Sequence, residues 1–157
     1  MSRVLTPSLE DRALIDDLST AYLWALDTCN TDALCACFTD DCTIRHDEPD
    51  GETSVETGQD GLRKLMMRFH GNPEFAGHQH REANRVYLPE DSGPDRVASR
   101  SYVFTTHFEP ETESARTFWA GYYRDIMVRR DGEWKYLERW IAPWKGAPIA
   151  AFPGQTR

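Results

Sequence analysis

One short run in the middle of the chain, Gly77-His78-Gln79-His80-Arg81-Glu82-Ala83-Asn84, holds its densest set of proton-handling side chains. Read as a strand, its period-2 geometry sends His78, His80, Glu82 and Asn84 to one face, with Val86 and Leu88 expected buried further along. A face polar at one end and apolar at the other fits a strand whose inner side enters a cavity. A solvated strand edge gives the same pattern. Histidine in a cavity can take a proton near neutral pH and return it. Asp27 is the second candidate. It follows Tyr22-Leu23-Trp24-Ala25-Leu26 at the end of a predicted helix, where a carboxylate opposes the helix dipole. It reads either as a solvated helix-end acid or as a group aimed at a partner. Facing His80, it would fix the imidazole tautomer and stabilise the protonated ring, making the pair a general base. Arg139 is expected beside Leu137 and Ile141, as the partner of a core carboxylate such as Asp125 or of a substrate oxyanion or leaving group. His78 is expected at a cavity rim. Trp119, Tyr123, Phe104, Phe69 and Trp140 read as core aromatics, some of which must line any cavity and would suit an aromatic or polycyclic ligand.

The elements that must position these groups follow from the apolar periodicity. Thr6-Pro7-Ser8, then Glu10 and Asp11, open a helix that runs to Asp27 with Leu14, Leu18, Ala21, Tyr22 and Ala25 as its buried stripe. Thr31 caps a short helix over Asp32 to Phe38, with Leu34, Cys35 and Phe38 inward. Thr39-Asp40-Asp41 breaks the pattern, and Cys42 to His46 reads as a strand with Cys42, Ile44 and His46 on one face. A weak strand over Thr53 to Glu56 precedes a third helix, Gly58 to His70. Four long strands follow, roughly Gln79 to Leu88, Val97 to His107, Thr117 to Arg129 and Trp134 to Ile141, with Asp131-Gly132 the cleanest hairpin turn. Helices first and an antiparallel meander afterwards predict an α+β domain with the helices on one face of the sheet.

Length and charge bound the function. The 157 residues are expected to form one domain, with 143–157 a C-terminal tail whose Trp144, Ile149 and Phe152 pack on a pocket mouth or a neighbour. A formal net charge of -8 argues against nucleic-acid or anionic-membrane partners, which need a basic footprint. There is no apolar run of membrane-spanning length, and the acidic opening lacks a signal core, so a cytoplasmic protein is expected. Cys29, Cys35, Cys37 and Cys42 read as buried free thiols, since their spacing, with His46, matches no standard zinc pattern. No glycine-rich nucleotide fingerprint is present, and neither metal nor cofactor is expected.

The order of these features resembles a known family. Ala25-Leu26-Asp27, Asp32-Ala33-Leu34, Phe38-Thr39-Asp40-Asp41, Gly58, His80 with Asn84, the alternating Gly121, Tyr123 and Asp125, and Arg130-Asp131-Gly132-Glu133-Trp134 leading to Arg139 together resemble the SnoaL-like branch of the nuclear transport factor 2-like superfamily over about residues 8–142. The resemblance implies a cone-shaped α+β barrel, with three N-terminal helices packed on a strongly curved, mixed but mostly antiparallel sheet. Its functional echoes are scytalone dehydratase and hexachlorocyclohexane dehydrochlorinase, lyases with a cofactor-free aspartate–histidine dyad. Carried over, they imply Asp27, His80 and Arg139 as catalytic residues. Tyr22, Trp24, His46, Phe69, Asn84, Phe104, Trp119 and Tyr123 are expected to bind a hydrophobic small-molecule substrate. Tyr22 and His46 depart in type from the dehydratase's tryptophan and tyrosine. The expected reaction is a dehydratase-like elimination or an isomerisation. The alternatives are a non-catalytic binding or small-subunit module, as in ring-hydroxylating dioxygenases, and a polyketide-type cyclase. The family also implies a homodimer or homotrimer built on the sheet surface.

Overall fold

The computed structural model describes residues 7–75 and 77–146. Helix α1 spans Leu9–Asp27, α2 Thr31–Ala36 and α3 Gly58–His70; the strands are β1 Phe38–Asp47, β2 Thr53–Thr57, β3 Gln79–Tyr87, β4 Arg96–Glu109, β5 Ser114–Arg130 and β6 Glu133–Pro143. The six strands form one sheet in the order β2-β1-β6-β5-β4-β3. Every neighbouring pair is antiparallel except β1 with β6, which run parallel. The helices pack against the inner face, where Ile15, Tyr22, Leu34, Phe38, Ile44, Leu62, Met66, Tyr123 and Tyr136 make one core. A smaller cluster of Leu88, Ala98 and Ile126, joined by Leu137, is separate from that core.

Local signals explain most boundaries. Ser8 caps α1 by accepting the Asp11 N–H at 3.0 Å, and Glu10 and Asp11 sit in its positive first turn. The buried stripe is Ile15, Ser19, Tyr22, Ala25 and Leu26, one step round the helix from the expected one; Leu14 is 41% exposed. Ser19 is drawn inward because its hydroxyl donates to the Glu82 carboxylate. Asn30, not Thr31, caps α2, accepting the Ala33 N–H at 3.0 Å. That helix stops at Ala36, so Phe38 and Thr39 to Asp41 belong to β1 rather than to a helix and a break. Asp131 and Gly132 both take positive φ, 51° and 84°, as a tight hairpin matched to right-handed strand twist requires.

Four irregularities of register shape the sheet, one in β1, where Phe38 meets Tyr136 and Thr43 meets Glu138 of β6, and one each in β3, β5 and β6. In β3, Ala83 faces Tyr102 and Val86 faces Arg100, so Asn84 and Arg85 together span one opposing residue, with Asn84 at φ 55°. In β5, Thr105 of β4 meets Trp119 and Thr106 meets Thr117, leaving Phe118 as an extra residue. In β6, Ile126 meets Glu138 and Met127 meets Tyr136, leaving Leu137 extra. An extra residue in one strand increases local twist and bends it, which wraps the sheet around the helices. Each also reverses the inside–outside alternation. Beyond Asn84 the expected phase fails. Arg85 and Tyr87 turn inward, Val86 is 45% exposed, and Leu88 joins the separate cluster. Leu137 likewise sits in that cluster and not beside Arg139. Of the four cysteines, Cys35, Cys37 and Cys42 are buried free thiols, whereas Cys29 is exposed. Burial pushes the Cys42 thiol up to about 11. Ile149 and Phe152 of the tail lie outside the described residues; before them, the Trp144 N–H donates to the Ala120 carbonyl at 2.9 Å.

Candidate active site

A cavity of about 390 Å³ opens between the helices and the inner face of the sheet. Tyr22 and Leu26 reach it from α1, Met66 and Phe69 from α3, and His46 from β1. From β3 to β6 come His80, Thr105, Phe118, Trp119, Tyr123 and Ile141; Glu48, Pro49, Phe75 and His78 close the rim. The wall is thus mostly apolar and aromatic, with imidazoles as its principal polar groups. Such a pocket takes up a small apolar molecule and fixes it through few polar contacts.

The end of α1 and the start of β3 meet at this wall. Asp27 Oδ1 lies 2.6 Å from His80 Nδ1, and the same carboxylate accepts the His80 backbone N–H at 3.1 and 3.0 Å. An ionised carboxylate only accepts, so the proton shared with it belongs on Nδ1, and Nε2 of the neutral ring carries the lone pair. The two side chains are 20% and 11% exposed, enough shielding to strengthen the pair without stranding a charge. Phe75 packs 5.5 Å from the His80 ring and limits its rotation. The dyad also borders a second, external groove, formed by Thr20, Leu23, Trp24 and Thr28 of the α1 end with Gln79 and Arg81 of β3. His80 and Asp27 therefore stand in a partition, with the cavity on one side and the groove on the other.

The other expected site residues separate into two groups. Tyr22, His46, Phe69, Trp119 and Tyr123 line the cavity with His80. Arg139, Trp24, Asn84 and Phe104 do not. Arg139 is 1% exposed and forms a bidentate pair with Asp125, Nε to Oδ1 and Nη2 to Oδ2 both at 2.8 Å, with Glu82 3.6 Å from Nη2. Its guanidinium carbon lies 4.1 Å over the Tyr22 ring, 4.0 Å over Tyr123 and 4.1 Å over Tyr136. Its charge is therefore committed beneath the cavity-lining tyrosines instead of reaching a ligand. Trp24 is 68% exposed and lines the external groove, because it falls outside the buried stripe of α1. Asn84 is exposed because the β3 irregularity turns it out. Phe104 is paired with Arg81, one position out of phase with the His80–Thr105 pair, and that arginine lies 6.0 Å over its ring.

Several lining residues escaped the sequence reading, Glu48, Phe75, Thr105 and Phe118 among them. Phe118 and Trp119 are consecutive, yet both line the cavity, which alternation forbids and the extra residue in β5 permits. Phe75 arrives on a single 3-10 turn, Pro73–Phe75, and Thr105 is the cross-strand partner of His80. His78, expected only at the rim, is 8% exposed and stacks on Phe118 at 4.9 Å and 24°. Burial lowers its pKa, with His107 and His80 adding to the effect, so the ring is neutral near pH 7. Burial likewise lowers His46, against the opposing pull of Glu48. Among the described residues no cluster of histidine, cysteine and carboxylate groups could hold a metal ion, and no helix is long and apolar enough to cross a membrane.

Comparison with known proteins agrees with this architecture. No curated protein matches the chain. Among solved structures, a protein of unknown function with a cystatin-like fold from Nostoc punctiforme superposes with a TM-score of 0.74 at 17% identity, covering 92% of this chain and 99% of that one. A scytalone dehydratase candidate from Novosphingobium aromaticivorans gives 0.71 at 22% identity, covering 95% and 97%. LinA gives 0.68 at 25% identity, covering 91% and 95%. The model of the SnoaL-like domain matches residues 7–139. The cone of curved sheet and helices is therefore that of a cystatin-like, nuclear transport factor 2-like barrel, and the chain belongs to the SnoaL-like domain family.

Proposed function

We propose that this protein is a cofactor-independent lyase of the dehydratase type, or an isomerase, acting on a hydrophobic ring compound by proton abstraction at His80. The observation that carries the reading is the 2.6 Å contact between Asp27 and His80 Nδ1 at the wall of an apolar cavity. Nε2 is the base. It takes a proton from an acidic carbon or hydroxyl of the bound molecule, while Asp27 holds the ring and stabilises the imidazolium as it forms. The second bond from Asp27 to the His80 backbone N–H fixes the carboxylate to the strand that carries the histidine. Orientation is thereby set before the ligand arrives, which lowers the cost of reaching the transition state. General-base assistance of this kind supplies roughly 10²–10⁴ in rate, and the mostly apolar, aromatic lining strengthens electrostatic contacts beside it.

The test uses a panel of cyclic β-hydroxy ketones and their unsaturated isomers in deuterium oxide, followed by proton NMR. Wild type is expected to eliminate water from, or exchange deuterium into, at least one of them. His80→Gln is expected to slow that reaction by roughly 10²-fold or more with folding intact. Full-rate exchange in His80→Gln would refute the mechanism. Tight binding across the panel with no exchange anywhere would favour a ligand carrier.

A further inference from the structure

The cavity holds a second imidazole backed by a carboxylate. Alternation along β1 buries Cys42 and Ile44 and then brings His46 to the cavity, opposite Ile141 of β6. Phe69 of α3 packs 5.4 Å from its ring, and Glu48 Oε1 lies 3.0 Å from Nδ1. The His46 side chain is 14% exposed and that of Glu48 34%, so the carboxylate stands toward solvent and the ring toward the interior. The contact is an ion-pair approach and not a directed hydrogen bond, but a carboxylate oxygen at 3.0 Å repels a nitrogen lone pair, which favours the hydrogen on Nδ1 and leaves Nε2 bare. Among the described residues that line the cavity there is no lysine or arginine, and Arg139 beneath them is tied to Asp125. A carboxylate or phosphate ligand would meet no permanent cation in that lining, and Arg68, which faces His46, is not part of it.

We propose that His46, held by Glu48, is a ligand-positioning acceptor that selects neutral ring compounds bearing a hydroxyl donor, and so presents them in one orientation to His80. This rests on the cavity being the ligand site, not on the proton abstraction. A hydroxyl buried without an acceptor forfeits its bond to water, whereas an ether of the same shape brings no donor and leaves Nε2 unmatched. Discrimination therefore follows the hydrogen, not the size. It also follows pH. The groups that face His46 are Asp47 from its own strand, Glu48 just beyond that strand's end and Arg68 from α3; Asp47 is itself engaged by Arg45, Thr53 and Trp140. Burial, with Arg68 adding to it, holds the His46 pKa below its ordinary value, so the bare nitrogen is present at neutral pH and is lost as pH falls through that lowered value.

The experiment compares 2-naphthol with 2-methoxynaphthalene by calorimetric titration of the intact protein. At about pH 7.5 the naphthol is expected to bind roughly tenfold tighter, the worth of one matched hydrogen bond in a dry site. His46→Phe is expected to abolish the preference, and His46→Gln, a smaller polar replacement, guards against a mere packing defect. Glu48→Gln is expected to weaken the preference, and acidifying wild type to remove it. His80→Gln is expected to keep the preference while losing turnover, which separates this assignment from the catalytic one. Equal binding of the two probes, binding of neither, tighter binding of 2-naphthoate, or a preference that survives His46→Phe would each overturn the assignment.

Discussion

Asp27→Asn is the most informative single change. The amide keeps the size of the carboxylate and retains one oxygen to accept the His80 backbone N–H, so α1 stays joined to β3. Its other atom is a donor, which turns the His80 ring tautomer over and places the hydrogen on Nε2, where the base must be bare. The transition-state imidazolium also loses its counter-charge. With a contact of 2.6 Å and charge centres about 4 Å apart, an effective dielectric of about 20 gives about 4 kcal/mol. That corresponds to a fall in kcat/KM of roughly 10³-fold. The assay is the rate of α-deuterium exchange or elimination with a substrate from the ketone panel, with unfolding by urea measured in parallel. The midpoint is expected to move little. A variant that keeps more than about a tenth of wild-type kcat/KM, folded and substrate-saturable, would refute the assignment of Asp27 as the partner that activates His80.

Three further outcomes are expected. Arg139→Leu strands Asp125, which is 0% exposed, and should cost about 3–5 kcal/mol of stability by urea denaturation, while Arg139→Leu with Asp125→Leu should recover much of it; equal loss in both would contradict the paired-charge account. Gly121→Ala would drive a Cβ into the Ala142 carbonyl oxygen and the Trp119 ring, so a destabilisation of about 1–3 kcal/mol is expected, together with weaker ligand binding as Trp119 shifts in the wall. Glu82 is buried, which alone would raise its pKa, but Arg139, Arg85 and the Ser101 and Ser19 hydroxyls outweigh that and hold it below the ordinary carboxylate value. Its contribution is therefore present above the unfolded-state pKa and lost as pH falls through the folded one, so acid unfolding should flatten in Glu82→Gln.

The dyad was legible because both partners sit where regular periodicities place them. Asp27 closes a capped amphipathic helix, and His80 lies two positions into β3, before any irregularity. The helix Gly58–His70 and the hairpin at Asp131-Gly132 were legible for similarly local reasons. What was hidden lies beyond a bulge. Alternation assigned Asn84 inward and Leu137 beside Arg139, and one extra residue in each strand undid both. Phe118 was unreadable for the same reason, since no pattern in Thr117-Phe118-Trp119 announces that two neighbours share a side. For Arg139 the sequence left two partners open, a core carboxylate such as Asp125 or a ligand, and the fold brings it to Asp125 with Glu82 close by.

The place of the dyad in a partition has a consequence for the traffic of hydrogen. His80 faces the cavity where the proposed ligand would sit, but Asp27 is bordered by the external groove together with the exposed face of Trp24. The hydrogen that His80 Nδ1 shares with Asp27 therefore has the groove, and not only the cavity, as its nearest way to bulk solvent. The two nitrogens of one imidazole thus meet different surroundings, the cavity at Nε2 and the groove beside Nδ1. On the proposed mechanism a hydrogen taken from the ligand rests on Nε2, so label from the ligand should leave by the cavity, while the Nδ1 hydrogen should exchange along the groove whether or not the cavity is filled.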